Sequence, residues 1–219
     1  MRHVRSPANA AVVLLGMAAF LDPAATAQQL RDVTFAAVDV ETTGFSARND
    51  RIIEIGVVTF RDGRILEQRS WLVNPRTAIP EAARAVHGID AEIIRGAPSF
   101  RDVYPSFLTF VEGTVLLAHQ ASFDMAFLAA EARRHGQTLT RNPVLDSLKL
   151  ARSWFPDAPA HGLSALVGHL GIEQQANHRA LDDARALVSV FLRGLNRQTP
   201  PPTLDELLRA AGTTLPDPP

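Results

Sequence analysis

The chain has 219 residues, no cysteine and a formal net charge of −1. That length supports one sizeable core with short appendages, and the absence of thiols excludes a disulfide framework, a zinc-thiolate centre and a cysteine nucleophile. A near-neutral balance excludes bulk attraction to nucleic acid, so a polyanion would have to be held by a local basic rim or by bridging metal ions.

Residues 1–32 form an N-terminal segment. Arg2, His3 and Arg5 precede an apolar run from Ala10 to Leu21, followed by Pro23 and Ala25-Thr26-Ala27. A basic start, a short apolar stretch and an A-x-A site have the shape of a secretory signal, and the run is too short to span a membrane comfortably. Against cleavage, little chain would remain before the strand that begins near Val33, and Asp22 sits where such signals are uncharged. The alternatives are a packed N-terminal helix or a start codon upstream of the true one. The expectation is a cytoplasmic protein with no stable membrane association, with export left open.

The next stretch organises the rest. In Ala36-Ala37-Val38-Asp39-Val40-Glu41-Thr42-Thr43-Gly44-Phe45 an apolar strand ends in two carboxylates and then turns. Side chains alternate along a strand, so Asp39 and Glu41 share one face while Ala36, Val38 and Val40 make the other apolar. Unpaired carboxylates beside a buried face cost several kcal/mol, so something cationic must face them. Hard divalent ions such as Mg²⁺ or Mn²⁺ choose carboxylate oxygen, and a pair of them is the usual device for in-line attack on a phosphodiester.

Ile52 to Phe60 reads as a second strand, Arg61-Asp62-Gly63-Arg64 as a hairpin turn and Ile65 to Val73 as a third strand that stops at Asn74-Pro75. Glu81 to Val86 is a short helix closing near His87-Gly88, and Phe100 to Val111 is another, with Val103, Phe107 and Val111 at helical spacing. Val115 to Ala118 is a buried strand. Ser122 as N-cap and Gly136 as stop make Phe123 to His135 a helix with Asp124 in its first turn. Phe127 and Leu128 lie one turn on, so Asp124 points along a protein-facing surface.

Val144 to Leu148 reads as the last strand, leading into Lys149 to Trp154, and Leu163 to Leu170 is a helix closed by Gly171. Asn177 to Arg185 opens the final helix of the domain. Its phase separates two adjacent aspartates: Asp182 shares a solvated stripe with Arg185, Ser189 and Arg193, whereas Asp183 aligns with Leu187 and Val190 at the buried edge, making Asp183 the better ligand. Residues 33–197 thus read as one domain. Residues 198–219 read as a Pro-rich linker, a short helix from Thr203 to Ala211 and a tail.

Asp39-x-Glu41 at a strand end, Asp124 after His119-Gln120-Ala121-Ser122-Phe123, and His178 before Asp183 resemble the three exonuclease motifs of the DEDD superfamily, His-type branch. Val86-His87-Gly88-Ile89 is similar to the proofreading epsilon subunit of bacterial replicative polymerase. One departure is visible: Gln120 stands where the family has Asn, which keeps an amide on a longer arm.

The resemblance implies an α/β, ribonuclease-H-like fold, a mixed five-stranded sheet with helices on both faces and the Asp39 strand central. It also implies two Mg²⁺ or Mn²⁺ ions. Asp39, Glu41 and Asp183 would hold one ion, Asp39 would bridge to the second, and Asp124 would complete the cage directly or through water. His178 is the candidate general base, since imidazole titrates near neutrality. Thr42, Gly44, Phe45 and His87 are the candidate substrate contacts, with Phe45 placed to wedge or stack against the terminal base. Arg48, Arg133, Arg134 and Arg179 are candidate clamps on the nucleic-acid backbone.

The function this implies is a 3′→5′ exonuclease on single-stranded or frayed DNA, in proofreading or repair, with a DNA polymerase subunit as a further partner. The same cage would cleave RNA. A non-catalytic nucleic-acid-binding or polymerase-binding module is the reading of another class.

Overall fold

The computed structural model describes residues 29–173 and 179–213. The N-terminal apolar run and His178 lie outside the described residues. After a 3₁₀ turn at Leu30–Asp32 come β1 (Phe35–Thr42), β2 (Ile52–Arg61), β3 (Arg64–Leu72), α1 (Glu81–His87), α2 (Phe100–Phe110), β4 (Val115–Ala118), α3 (Ser122–Arg134) and β5 (Val144–Asp146). They are followed by α4 (Ser147–Trp154), α5 (Leu163–His169), α6 (Ala180–Leu195), α7 (Leu204–Ala211) and β6 (Gly212–Thr213).

The strands form one mixed sheet in the order β3-β2-β1-β4-β5-β6. β1 runs antiparallel to β2 and parallel to β4; β4 and β5 are parallel, and β6 returns antiparallel on β5. Among the described residues the sheet therefore has six strands rather than the expected five. The sixth is a two-residue strand immediately after α7, where Gly212 and Thr213 pair with Leu145 and Val144. Gly212 is extended there, with φ −58° and ψ 143°, so it ends α7 by turning into the sheet.

Strand alternation sorts the core into layers. Ala36, Val38 and Val40 pack with Phe107, Met125 and Phe127 of α2 and α3 on one face. Phe35 and Ala37 pack with Leu187 and Phe191 of α6 and Leu207 of α7 on the other. The rings of Phe35 and Phe60 stack at 5.3 Å, and Phe191 lies 5.3 Å from Phe35. Asp39 and Glu41 continue the series of Phe35 and Ala37, so they leave the core on the α6 side. Apolar periodicity buried on both faces is what makes this central strand continuous.

Two local expectations change. Ser122 is the first residue of α3 and no side chain caps that helix from Ala121. β5 ends at Asp146 rather than Leu148, because the Asp146 carboxylate accepts from the Leu148 N–H at 3.0 Å and starts α4 at Ser147. Among the described residues no helix is long and apolar enough to cross a membrane.

Candidate active site

The C-terminal end of β1 and the first turn of α6 bring together residues 39, 41 and 183. One carboxylate oxygen from each of Asp39, Glu41 and Asp183 lies within 4.8 Å of the others. Asp183 is buried on the core side of α6, while Asp182 turns outward and accepts from Arg185 at 2.6 Å. These are hard oxygen donors in a tight group, the donor set that suits Mg²⁺ or Mn²⁺.

Asp124 reaches the same strand from the opposite layer. Its Oδ1 accepts from the Val40 N–H at 3.2 Å, and the residue is 4% exposed. Asp124 stands beside the triad rather than within it, close enough for its charge to bear on Asp39.

The electrostatics carry the mark of crowded negative charge. Burial, then Asp124, Glu41 and Asp183, hold the Asp39 carboxyl well above the usual range. Burial, then Asp183, Glu54 and Asp124, push Glu41 up to about 8. Asp124 is pushed up to about 8 by burial, even though the N–H groups of Asp124 itself and of Val40 pull it down. Each carboxylate would shed this cost on meeting a cation.

Thr42, Gly44, Phe45 and His87 lie where β1 gives way to its loop or pack against that end. Thr42 Oγ1 donates to the Gly44 carbonyl at 2.6 Å, and Asp50 accepts from the Ser46 N–H at 2.9 Å. A side chain on Gly44 would meet the Asp50 carboxylate at 2.6 Å and would have to displace it from the Ser46 N–H. Phe45 is 92% exposed at its tip. An aromatic ring held in water by an ordered loop has no core to fill. His87 is buried, and its Nδ1 accepts from the Ile89 N–H at 3.0 Å, which leaves the proton on Nε2. That Nε2 is buried against the Thr42 backbone; burial lowers the ring's pKa, and the contact with that backbone works the other way.

Two of the four arginines are already committed. Arg179 grips Glu54 with Nε at 2.9 Å and Nη2 at 2.8 Å. Arg134 donates to the carbonyls of Ala47 and Arg48 and pairs with Glu131 at 3.1 Å. Arg48 and Arg133 are exposed.

Sequence reasoning missed Glu54, Glu131 and Asp146. Glu54 is 1% exposed, and its cue is one charge inside the apolar run Ile52 to Phe60. Asp146 Oδ1 accepts from the Gln120 N–H at 3.1 Å as well as from Leu148, bracing the turn that starts α3. Gln120 braces with its backbone; its side chain is exposed. No local pattern marks a bond between segments so far apart.

A central strand ending in carboxylates, met by a helix carrying another, defines the ribonuclease-H-like class of α/β fold. The RNase_T exonuclease family matches residues 36–191. A DNA polymerase III PolC-type of Clostridium perfringens is 40% identical over 160 residues, 73% of this chain and 11% of that protein. The chain thus spans about a ninth of the length of such PolC-type relatives. The DNA polymerase III subunit epsilon of Treponema pallidum is 38% identical over 161 residues, 73% of this chain and 75% of that subunit. A structure of exonuclease X in complex with 5′ overhanging duplex DNA aligns with TM-score 0.64 and 25% identity, covering 80% of this chain and 98% of that one. Exonuclease I aligns with TM-score 0.69 at 19% identity over 77% of this chain and 42% of that one, a likeness of fold. The chain belongs to the RNase_T family of DEDD-superfamily exonucleases and is related to the PolC and epsilon types.

Proposed function

We propose that this chain is a metal-dependent 3′→5′ exonuclease that hydrolyses phosphodiesters from the 3′ end of single-stranded or frayed DNA, in proofreading or repair and in association with a polymerase. The observation that carries it is the triad of Asp39, Glu41 and Asp183 with oxygens within 4.8 Å, set beside the buried Asp124. The relatives' names support the polymerase association.

Asp39, Glu41 and Asp183 would hold one Mg²⁺ or Mn²⁺, and Asp39 and Asp124 the second. Such ions lower the pKa of water and stabilise charge on a phosphate. His178 accepts the proton of the attacking water, the part an imidazole plays as a general base. Phe45 stacks on the terminal base and separates it from its neighbour. His87, buried against the Thr42 backbone, supports the strand end that meets the terminal nucleotide.

Digestion of a 3′-labelled strand in Mg²⁺ tests the reading. Early release of the labelled mononucleotide is expected, lost in EDTA and in Asp39→Ala. A 5′-first or internal pattern, or full activity in Asp39→Ala, would sink it. His178→Ala should cut turnover while keeping stabilisation by Mn²⁺; unchanged turnover places the base elsewhere. A matched RNA strand cleaved faster than the DNA would reassign the substrate.

A further inference from the structure

Glu54 is a buried acid that the proposed chemistry does not use. It is 1% exposed on β2, directly across from Glu41 in the register of β1 and β2. Four donors converge on it. Arg179 Nε and Nη2 donate at 2.9 and 2.8 Å, the Ala180 N–H at 3.2 Å and Ser70 Oγ at 2.6 Å. Burial works against its charge, yet the bonds from Arg179 and Ser70 hold its carboxyl below the usual range.

The place of those donors in the chain gives the arrangement its sense. Arg179 is the N-cap residue of α6, and its own side chain does not cap the helix. The first N–H groups of a helix have no partner within it, and a carboxylate is favoured there by the helix dipole. Glu54 supplies that oxygen from another strand. Gly56, two residues along β2, removes the last obstacle, since a Cβ there would lie 2.2 Å from the Ala180 carbonyl carbon. The start of α6 is therefore fixed to β2 through side chain and backbone alike. Asp183 stands one turn further on, its N–H donating to the Arg179 carbonyl at 2.9 Å.

We propose that Glu54 is the positioning residue for Asp183: by gripping Arg179 and Ala180 it sets where α6 presents its ligand to the group formed with Asp39 and Glu41. This rests on the metal-dependent reading above. Arg179 has a second effect. As counter-ion to Glu54, it keeps the carboxylate facing Glu41 from adding its full charge to the cluster. Arg179 also follows His178 in sequence, so the same grip anchors the chain next to the proposed base.

The test compares wild type, Glu54→Gln, Arg179→Met and the double variant by Mn²⁺ titration calorimetry, metal-free melting, and kcat and KM on a 3′-labelled oligonucleotide. Glu54→Gln should weaken Mn²⁺ binding by about 10–100-fold, the range for groups that orient a metal ligand. It should lower kcat while leaving KM for the strand unchanged. Arg179→Met should do the same, and the double variant should be no worse than either single, as for one shared interaction. Variants that melt lower but bind Mn²⁺ and turn over like wild type would make the pair merely structural and overturn the proposal. Should Glu54→Gln fail to fold, Arg179→Lys keeps the charge at a side chain 37% exposed but loses the two-pronged grip. Weaker Mn²⁺ binding is expected there, and wild-type affinity overturns the proposal. Wild type that takes up no Mn²⁺ overturns the metal reading and this proposal with it; wild-type uptake beside unchanged variants overturns this proposal alone.

Discussion

The Val40 N–H donates to Asp124 Oδ1 across 84 residues of sequence, so the carboxylate from α3 is bonded into the backbone of the strand that carries Asp39 and Glu41. The N–H lies between those two residues, past Ala37, where the pairing of β1 with β4 stops. Asp124→Asn keeps an acceptor and removes a charge. Metal-free protein should melt no lower than wild type, while Mn²⁺ binding weakens. Asp124→Ala leaves the buried N–H without that partner and should cost about 1–3 kcal/mol. Thermal melting of both variants in EDTA checks the pair, and an Asp124→Asn that melts as low as Asp124→Ala would refute the account.

The raised carboxylates give a pH dependence with a definite sign. Glu41 and Asp124 titrate at about 8 in the folded chain and near the ordinary carboxylate range when unfolded. Between those limits the folded state binds more protons, so metal-free stability is full below the unfolded value and is lost as pH rises towards and through 8. Melting in EDTA should therefore fall from pH 5 to pH 9. Saturating Mg²⁺ needs the deprotonated forms and should raise the melting temperature most at the alkaline end. A metal-free curve that climbs over this range would contradict the burial, and with it the crowding, of these acids.

Gln120 has φ +64°, in the left-handed region, where a side chain other than glycine, asparagine or aspartate costs roughly 1–2 kcal/mol. Its side chain is exposed, so a substitution there meets little packing. Gln120→Asn should stabilise the fold by about 1 kcal/mol, a rise of about 2–4 °C for a chain of this size. Differential scanning calorimetry decides it, and a lower melting temperature would mean that the longer amide holds something after all.

Phe45 predicts a clean separation of binding from folding. At 92% exposure its removal should change stability by less than about 0.5 kcal/mol. Stacking on a base is worth about 1–3 kcal/mol, so Phe45→Ala should raise KM for a single strand by roughly 5–150-fold. Unchanged KM, or a large drop in melting temperature, would return Phe45 to a packing role.

Much of this was legible because it is local. Strand alternation placed Asp39 and Glu41 on one face, and helical phase separated Asp183, now in the acidic group, from Asp182, now paired with Arg185. Helix stops were equally local: Gly88, Gly136 and Gly171 all take positive φ. What escaped is what joins distant segments. Arg179 read as a candidate clamp on a nucleic-acid backbone because nothing near it in sequence announces Glu54, 125 residues earlier. Ser122 read as a cap because its residue type fits, whereas Asp146 on β5 braces that turn. The sixth strand escaped because two residues carry no period.

The helix that supplies Asp124 also reaches over the loop behind Phe45. At its far end Glu131, 2% exposed, holds Arg134, and Arg134 donates to the carbonyls of Ala47 and Arg48. One rigid rod therefore touches the acidic group with its first turn and the aromatic tip's loop with its last. A slide of that rod along its axis therefore moves the Asp124 carboxylate and the loop that carries Phe45 together.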